Sequence, residues 1–205
     1  MYLKKKIQEP LRIILRNPGI NVNELIKQTK AVRDPKKILD ELEKQKIIFT
    51  ATKNNQRQLF ALVNEANRPL FETVEREELE KTIHLSPYIK KIADHTDTIQ
   101  RILGPNLHTI LIHGSTAKQN TTPDSDVDIL FIVENTKTVR EDKIANLFHK
   151  LSSETKREIM PLWMTQTEFG QQLNDPNSFA SQTNKNRILL YGANSFIKLT
   201  NPTTK

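Results

Sequence analysis

The sequence of 205 residues contains no cysteine, which excludes disulfide bonds and thiolate metal sites. It also lacks long apolar runs, and no segment approaches the roughly 20 apolar residues that a membrane span requires. The N-terminus reads MYLKKKIQEP, without the apolar stretch of a signal peptide. These absences lead us to expect a soluble cytoplasmic protein with no membrane partner. The length leaves room for two small domains or one of medium size.

The positive charge is concentrated in the first third of the chain. The formal net charge is +7. Residues 1–70 hold 15 Lys and Arg against 7 Asp and Glu, net +8, whereas residues 71–205 hold 16 against 17, net −1. This asymmetry suggests one module that meets a polyanion and another that does not. A solvated basic face explains the charge equally well, so the pattern of elements has to decide.

Three helices are predicted in this basic region. Apolar residues at helical spacing indicate the first over residues 3–16. Asn21 and Glu24 have the spacing of a capping box at the start of the second. The third begins at Asp34-Pro35, a capping residue followed by a proline in the first helical position.

Two β-prone runs follow, residues 47–52 and 58–63, joined by KNNQR, whose asparagines tolerate tight turns. Residues 5–64 therefore resemble winged helix-turn-helix DNA-binding domains in the order of their elements. The resemblance implies that the third helix enters the major groove of double-stranded DNA. Winged helices also serve as protein-interaction modules, which remains the alternative. The phosphate contacts implied by position are Arg33, Lys36, Lys37, Lys53 and Arg57.

Two further segments lead to the middle of the chain. Residues 67–80 are acidic with few apolar positions, and we expect a solvated helix or linker there. Residues 86–103 are expected to form one helix, with Ser86 as its cap and Gly104-Pro105 at its end. The polar segment 171–186 should be partly helical, and RILLYGANSF after it should pack on the end of a sheet.

The sequence LHTILIHGSTAKQNTTPDSDVDILFIV contains two buried strands, residues 107–112 and 127–133. Side chains alternate along a strand, so Asp126 and Asp128 project from one face, with Cα atoms about 6.5–7 Å apart. Carboxylates this close repel one another, and a divalent cation between them would relieve the repulsion. Oxygen ligands favour Mg²⁺ or Mn²⁺, which in turn favour phosphate oxygens. Gly114 permits close backbone approach, and a helix opening at Ser115 would offer N–H groups to a phosphate.

Gly114-Ser115, followed after ten residues by Asp126-Val127-Asp128 between two strands, resembles the nucleotidyltransferase signature of the DNA polymerase beta superfamily. The similarity covers residues 86–165 and is nearest to the small prokaryotic members called minimal nucleotidyltransferases. It implies that Asp126 and Asp128 hold the metal ions and that Gly114 and Ser115 contact the β- and γ-phosphates of an NTP. Ser125 belongs to the matching stretch, and the resemblance implies that it too contacts the nucleotide. Lys118 is either a further phosphate contact or a solvated lysine.

The match breaks at the third carboxylate that active members of the superfamily carry on a later strand. Residues 158–164, EIMPLWM, supply the strand, and alignment places Met160 at that position. Methionine cannot bind Mg²⁺ or help to activate a hydroxyl. Glu158 lies on the same face one repeat away and can serve as the third acid, or it forms a salt bridge with Arg157 or Lys156. Prokaryotic proteins that join a winged helix to this domain often resemble REIMP here, which suggests a subfamily without the third acid.

The sequence thus predicts an α+β protein with three segments: a winged helix-turn-helix domain (1–66), a linker (67–85) and a nucleotidyltransferase-like domain (86–205). Its expected function is transfer of a nucleoside monophosphate from an NTP, first of all ATP, with a DNA-binding arm. One alternative is a transcriptional regulator that binds nucleotide without turnover. Another is the transferase half of a toxin–antitoxin pair. A homodimer is expected because winged-helix proteins commonly pair on DNA.

Overall fold

The computed structural model describes residues 5–29, 34–53, 55–139 and 141–201. Contacts divide the chain into two units. The first runs to Val74 and includes the segment from Ile197, and the second is Glu75–Phe196. Among the described residues, no helix combines the length and the apolar character that crossing a membrane takes.

The first unit contains three helices and a three-stranded sheet. In chain order its elements are α1 (Lys5–Arg16), β1 (Ile20–Asn21), α2 (Val22–Gln28), α3 (Pro35–Lys44), β2 (Ile48–Lys53) and β3 (Gln56–Ala61). The sheet is antiparallel, in the order β1-β3-β2. Both predicted caps are present, since Asn21 Oδ1 accepts from the amide of Glu24 and Asp34 Oδ1 from that of Lys37. Leu11, Ile14, Leu25, Leu42 and Leu59 are among the core residues.

The acidic segment expected to be solvated is helix α4 (Arg68–Leu85). It is helical, but it is not solvated all round, because Phe71 and Val74 are buried. Glu75 is only 3% exposed, and its Oε1 lies 2.5 Å from Nη2 of Arg187, which is 0% exposed. This ion pair could not be predicted from the sequence, because 112 residues separate Glu75 from Arg187.

Residues 86–103 form two helices, α5 (Pro87–Ala93) and α6 (Thr96–Leu103), so the prediction of one helix was wrong. The side chain of Ser86 makes no capping bond either. Two local hydrogen bonds explain the break between the helices. The amide of His95 donates to the Ile92 carbonyl, and the Thr96 hydroxyl donates to the Ala93 carbonyl at 2.8 Å. A threonine side chain competing for a backbone acceptor in this way favours a helix end.

The second unit is built on a four-stranded mixed sheet flanked by helices. Its strands are β4 (Leu107–Ile112), β5 (Val127–Val133), β6 (Ile159–Thr165) and β7 (Ile188–Tyr191), in the spatial order β6-β5-β4-β7. Only the β5–β6 pair is parallel. The remaining helices are α7 (Gly114–Ala117), α8 (Glu141–Thr155), α9 (Gln166–Gln172), α10 (Phe179–Lys185) and α11 (Ala193–Thr200). RILLYGANSF therefore supplies a full strand of the sheet and the start of a helix, rather than an element packed on the sheet's end.

Both faces of this sheet are covered over most of their area. Ile112, Ile129 and Phe131 belong to a core that includes residues of α5, α6 and α8. Leu111 and Leu130, whose side chains alternate to the opposite face, are also 0% exposed. That second face opens at the beginning of β5 and β6, where Met160 and Leu162 are 44% and 40% exposed. The opening is where Asp126 and Asp128 lie.

Candidate functional site

The backbone around Asp126 and Asp128 is fixed by both neighbouring strands. Asp126 immediately precedes β5, and Asp128 is the second residue of that strand. The amide of Val127 donates to the carbonyl of Glu158 at 2.8 Å, and the amide of His113 donates to the carbonyl of Asp128 at 3.0 Å. Asp126 lies outside the strand, and its negative charge acts on the carboxyl of Asp128. Asp126 is exposed and Asp128 is half-buried.

Gly114 lies directly against the carboxylate of Asp128. Its φ is +66°, and a Cβ added there would lie 2.1 Å from Asp128 Oδ2 and 3.1 Å from Cγ. Glycine is therefore required twice, for the left-handed backbone and for the space. The single turn of α7 begins at this glycine, and the half-buried Ser115 follows it. The chain thus brings the glycine-serine pair and the second aspartate together.

Electrostatics at this point disfavour an ionised Asp128. Burial raises the pKa of Asp128, the neighbouring His113 partly opposes that rise, and the negative charge of Asp126 adds to it. Burial likewise lowers the pKa of His113, against the opposing effect of Asp128. The ring of His113 packs edge-on against Phe179, with centroids 5.0 Å apart, and its buried Nε2 bonds to no described residue. The His113 ring thus packs at the end of β4 and also acts on the pKa of Asp128.

The strand that should carry a third acid runs beside β5, with Met160 paired to Asp128. Met160 is the position that the alignment indicated, and its side chain is 44% exposed. Glu158, one residue before β6, is exposed. Within the described ranges, no group of three His, Cys, Asp or Glu side chains is placed to hold a metal ion. Glu158 is thus not grouped with Asp126 and Asp128 in this structure, and its role as the third acid stays a prediction.

The salt bridge suggested between Glu158 and Arg157 is not formed. Arg157 Nη1 instead donates to the carbonyls of Thr122 and Ser125, at 2.9 and 2.6 Å, and its guanidinium lies over the ring of Tyr88. The sequence did not predict this role of Arg157, because hydrogen bonds from a side chain to loop carbonyls follow no regular spacing in the sequence.

The other predicted nucleotide contacts sit on the loop between α7 and β5. Lys118 is exposed at the end of α7. Ser125 is half-buried, and its hydroxyl accepts from the amide of Thr122 at 2.8 Å and lies 3.0 Å from the Thr122 hydroxyl. Ser125 thus shapes the turn that leads into Asp126.

The residues expected to meet DNA are only partly described. Lys36 and Lys37 are exposed in the first turn of α3. Arg57, on β3, forms an ion pair with Glu43. Arg33 lies outside the described residues, as does the side chain of Lys53.

Comparison with known protein families identifies the family to which this domain belongs. Residues 89–195, more than half of the chain, match the family model described as polymerase beta, nucleotidyltransferase. The chain belongs to this family. Neither the curated proteins nor the solved structures gave a significant match. The nucleotidyltransferase assignment covers the whole sheet of the second unit, including Gly114, Asp126 and Asp128, and it ends before the close of α11.

Proposed function

We propose that the nucleotidyltransferase domain binds a nucleoside triphosphate with Mg²⁺ or Mn²⁺ at Asp126 and Asp128 and transfers its nucleoside monophosphate to an acceptor hydroxyl. One observation carries the proposal: Asp128, the second residue of a central strand, packs against Gly114, and the negative charge of Asp126 just before the strand acts on its carboxyl. This is the place in the family where the signature glycine-serine and aspartates meet.

The donor set fits a divalent cation. Two carboxylates supply hard oxygen ligands of the kind that Mg²⁺ and Mn²⁺ prefer, and phosphate oxygens and water complete such a shell. Burial and Asp126 both raise the pKa of Asp128, and a cation would offset both effects by favouring the ionised form. When bound, the metal supplies stabilisation of charge on the attacking and leaving oxygens.

The residues around the carboxylates divide the remaining work. The backbone at Gly114 and Ser115 approaches the terminal phosphates, with Lys118 as a further cation at the end of the same turn. In the transfer, a bond forms between the acceptor oxygen and the α-phosphorus, and the bond to the bridging oxygen of the β-phosphate breaks. Pyrophosphate leaves, and the acceptor proton passes to solvent. ATP is the first nucleotide to test.

A second candidate function is favoured by one observation, the exposed Met160 beside Asp128. Methionine cannot take the acceptor proton, and loss of general-base assistance alone typically costs a factor of about 10²–10⁴. A domain with the two metal ligands and no base suits a regulator that binds nucleotide as an effector without turnover.

Labelled nucleotide separates these functions. The purified protein is incubated with ATP labelled at the α-phosphate, Mg²⁺ or Mn²⁺, and cell extract as the source of acceptor. Label transfer that Asp126→Ala abolishes supports the transferase, and saturable binding without transfer supports the regulator. Asp124→Ala is the matched control, because Asp124 is an exposed carboxylate two residues away in the same loop. Absence of both binding and transfer with every common NTP would overturn the proposal.

We further propose that the first unit is a winged helix that binds double-stranded DNA. Support comes from its order of elements, α1-β1-α2-α3-β2-β3, and from the net charge of +8 over residues 1–70. Lys36 and Lys37 are exposed at the start of α3, the helix that enters the major groove in such domains. Arg57 would have to exchange Glu43 for a phosphate.

A mobility shift with random genomic fragments at low salt tests the DNA proposal. Binding should weaken steeply with salt, because each neutralised phosphate adds about 0.9 to the slope of log K against log salt. Lys36→Glu with Lys37→Glu should abolish the shift. The charge-matched control is Lys143→Glu with Lys150→Glu, two exposed lysines of α8. No shift of the wild-type protein at low salt would contradict DNA binding, and light scattering on the same samples tests the expected homodimer.

A further inference from the structure

The loop between α7 and β5 ends in Asp126, and its last residues form a compact turn. The amide of Ser125 donates to the carbonyl of Thr122 at 3.1 Å, while the Ser125 hydroxyl accepts from the Thr122 amide at 2.8 Å. These bonds close the turn on itself. These two bonds do not attach the turn to the rest of the domain. Another contact is needed to fix the position of Asp126 from the loop side.

Arg157 makes that attachment. Its Nη1 donates to both carbonyls of the turn, Thr122 at 2.9 Å and Ser125 at 2.6 Å. Hydrogen bonds from an ionised donor are shorter and about twice as strong as neutral ones. One guanidinium nitrogen therefore bonds to both ends of the turn. The second of these bonds is to the carbonyl of Ser125, the residue directly before Asp126.

The guanidinium is itself held in place. Its Cζ lies 4.6 Å from the centroid of the Tyr88 ring, a cation–π distance. Tyr88 packs against the core of the second unit. The backbone amide of Arg157 donates to the carbonyl of Ser152, in the last turns of α8. A planar, preorganised donor of this kind loses little freedom when it bonds, so it can act as a rigid strut between the core and the loop.

The two aspartates depend on this strut to different degrees. Asp128 is the second residue of β5 and is further confined by Gly114, so strand pairing fixes it. Asp126 lies outside the strand and is exposed. Among the described contacts, its backbone is held only through its two covalent neighbours. Val127 is paired in the sheet, and the carbonyl of Ser125 accepts from Arg157.

We propose that Arg157 is a positioning residue for the metal–nucleotide site: through the carbonyls of Thr122 and Ser125 it sets the position of Asp126. This inference rests on the proposed function, since it concerns Asp126 as a ligand. Residues that orient metal ligands typically change metal affinity by about 10–100-fold when removed. Loss of the guanidinium should weaken the metal–nucleotide complex by a factor in that range.

Two measurements on the full chain test the inference. The first is hydrogen exchange of the loop amides, residues 118–126, without ligand. The second is the calorimetric affinity for Mn²⁺ with α,β-methylene-ATP, a nucleotide that cannot be cleaved at the reacting bond. Arg157→Met removes the donors but keeps an unbranched apolar chain against Tyr88. Arg157→Lys keeps the charge and one donor group, and should fall between Met and the wild type.

The expected result for Arg157→Met is faster loop exchange and an affinity about 10–100-fold weaker, with an unfolding midpoint close to that of the wild type. Lys156→Gln, which changes the neighbouring exposed cation, should leave both readouts unchanged. Faster exchange with unchanged affinity would overturn the positioning role, because the loop would then be free without cost to the site. Unchanged exchange would overturn the strut itself.

Failure of the proposed function gives a different pattern. If the wild type binds no Mn²⁺–nucleotide complex, the ligand role of Asp126 falls and the positioning role falls with it. Loop exchange in Arg157→Met then still reports whether the guanidinium orders the turn. The two failures are therefore distinguishable from one set of samples.

Discussion

Gly114→Ala perturbs the site without replacing either of the two proposed metal ligands. The new methyl carbon would lie 2.1 Å from Asp128 Oδ2 and 3.1 Å from its Cγ. An ordinary non-bonded contact is about 3.5 Å, so the carboxylate oxygen must move by more than 1 Å. Strand pairing holds the backbone of Asp128, and the movement must therefore come from rotation of its side chain.

The cost has two parts. A non-glycine residue at φ +66° pays about 1–2 kcal/mol. A side chain pushed off its rotamer pays about 0.5–1.5 kcal/mol. Together these predict a loss of about 1.5–3.5 kcal/mol in the free energy of unfolding of the metal-free protein. Misplacing a binding group by about 1 Å can cost on the order of 10²-fold, so Mn²⁺–nucleotide affinity should fall by about that factor.

Gly104→Ala provides the control for backbone strain. Gly104 also has a positive φ, +58°, but no heavy atom lies within 4 Å of its added Cβ. It should lose stability through backbone strain alone and keep the affinity of the wild type. The assays are urea unfolding by circular dichroism and calorimetry with Mn²⁺ and α,β-methylene-ATP. Wild-type affinity in Gly114→Ala would refute the contact between glycine and carboxylate as the organising feature of the site.

Two further predictions concern buried charge. Glu75→Gln removes the carboxylate charge that pairs with the buried Arg187 and should lower the free energy of unfolding by about 3–5 kcal/mol. In urea unfolding, a loss no larger than that of the exposed Glu80→Gln would contradict this prediction. Asp128→Asn should stabilise the metal-free protein at neutral pH, because a carboxyl whose pKa is raised on folding contributes stability only while protonated, and that contribution is lost as pH rises through the raised pKa. The difference in melting temperature between this variant and the wild type should therefore grow from pH 4 to pH 7, and a difference that shrinks would be the wrong sign.

The strands that frame the site could be predicted from the sequence at their observed bounds. Residues 107–112 and 127–133 are continuous apolar runs, too short for helices, bounded by polar segments. The start of α3 was equally readable, because Asp34 and Pro35 are local signals for a helix start. Alternation along a strand also predicts both aspartates on one face, but in the structure Asp126 lies just outside β5, and its shared face stays a prediction.

What could not be predicted depends on partners distant in the chain. Nothing near Glu75 indicates that it is buried, since Arg187 supplies the reason 112 residues later. Nothing near Arg157 indicates that it bonds to a loop 35 and 32 residues earlier. Local competition explains another wrong prediction: the Thr96 hydroxyl donates to the Ala93 carbonyl and ends a helix that apolar periodicity would have continued. Periodic patterns in the sequence predict which face of a helix or strand is buried. They do not predict the hydrogen-bond or ion-pair partner of a polar side chain.

The exposed Met160 makes the outcome of turnover assays informative in either direction. It occupies the strand position paired with Asp128, and Pro161 and Leu162 beside it are also exposed. Met160→Asp would restore an acid to that position. If the two-carboxylate site binds nucleotide without transfer, this variant should gain label transfer from ATP while Leu162→Asp, one repeat further along the strand, should not.

The most direct test of the account is calorimetric titration of the wild-type protein with each common NTP in the presence of Mn²⁺ and of Mg²⁺. We expect saturable, metal-dependent binding of one triphosphate, lost in Asp126→Asn and in Asp128→Asn and retained in Asp124→Asn. No heat with any nucleotide and either metal, or binding that survives removal of both aspartates, would contradict it.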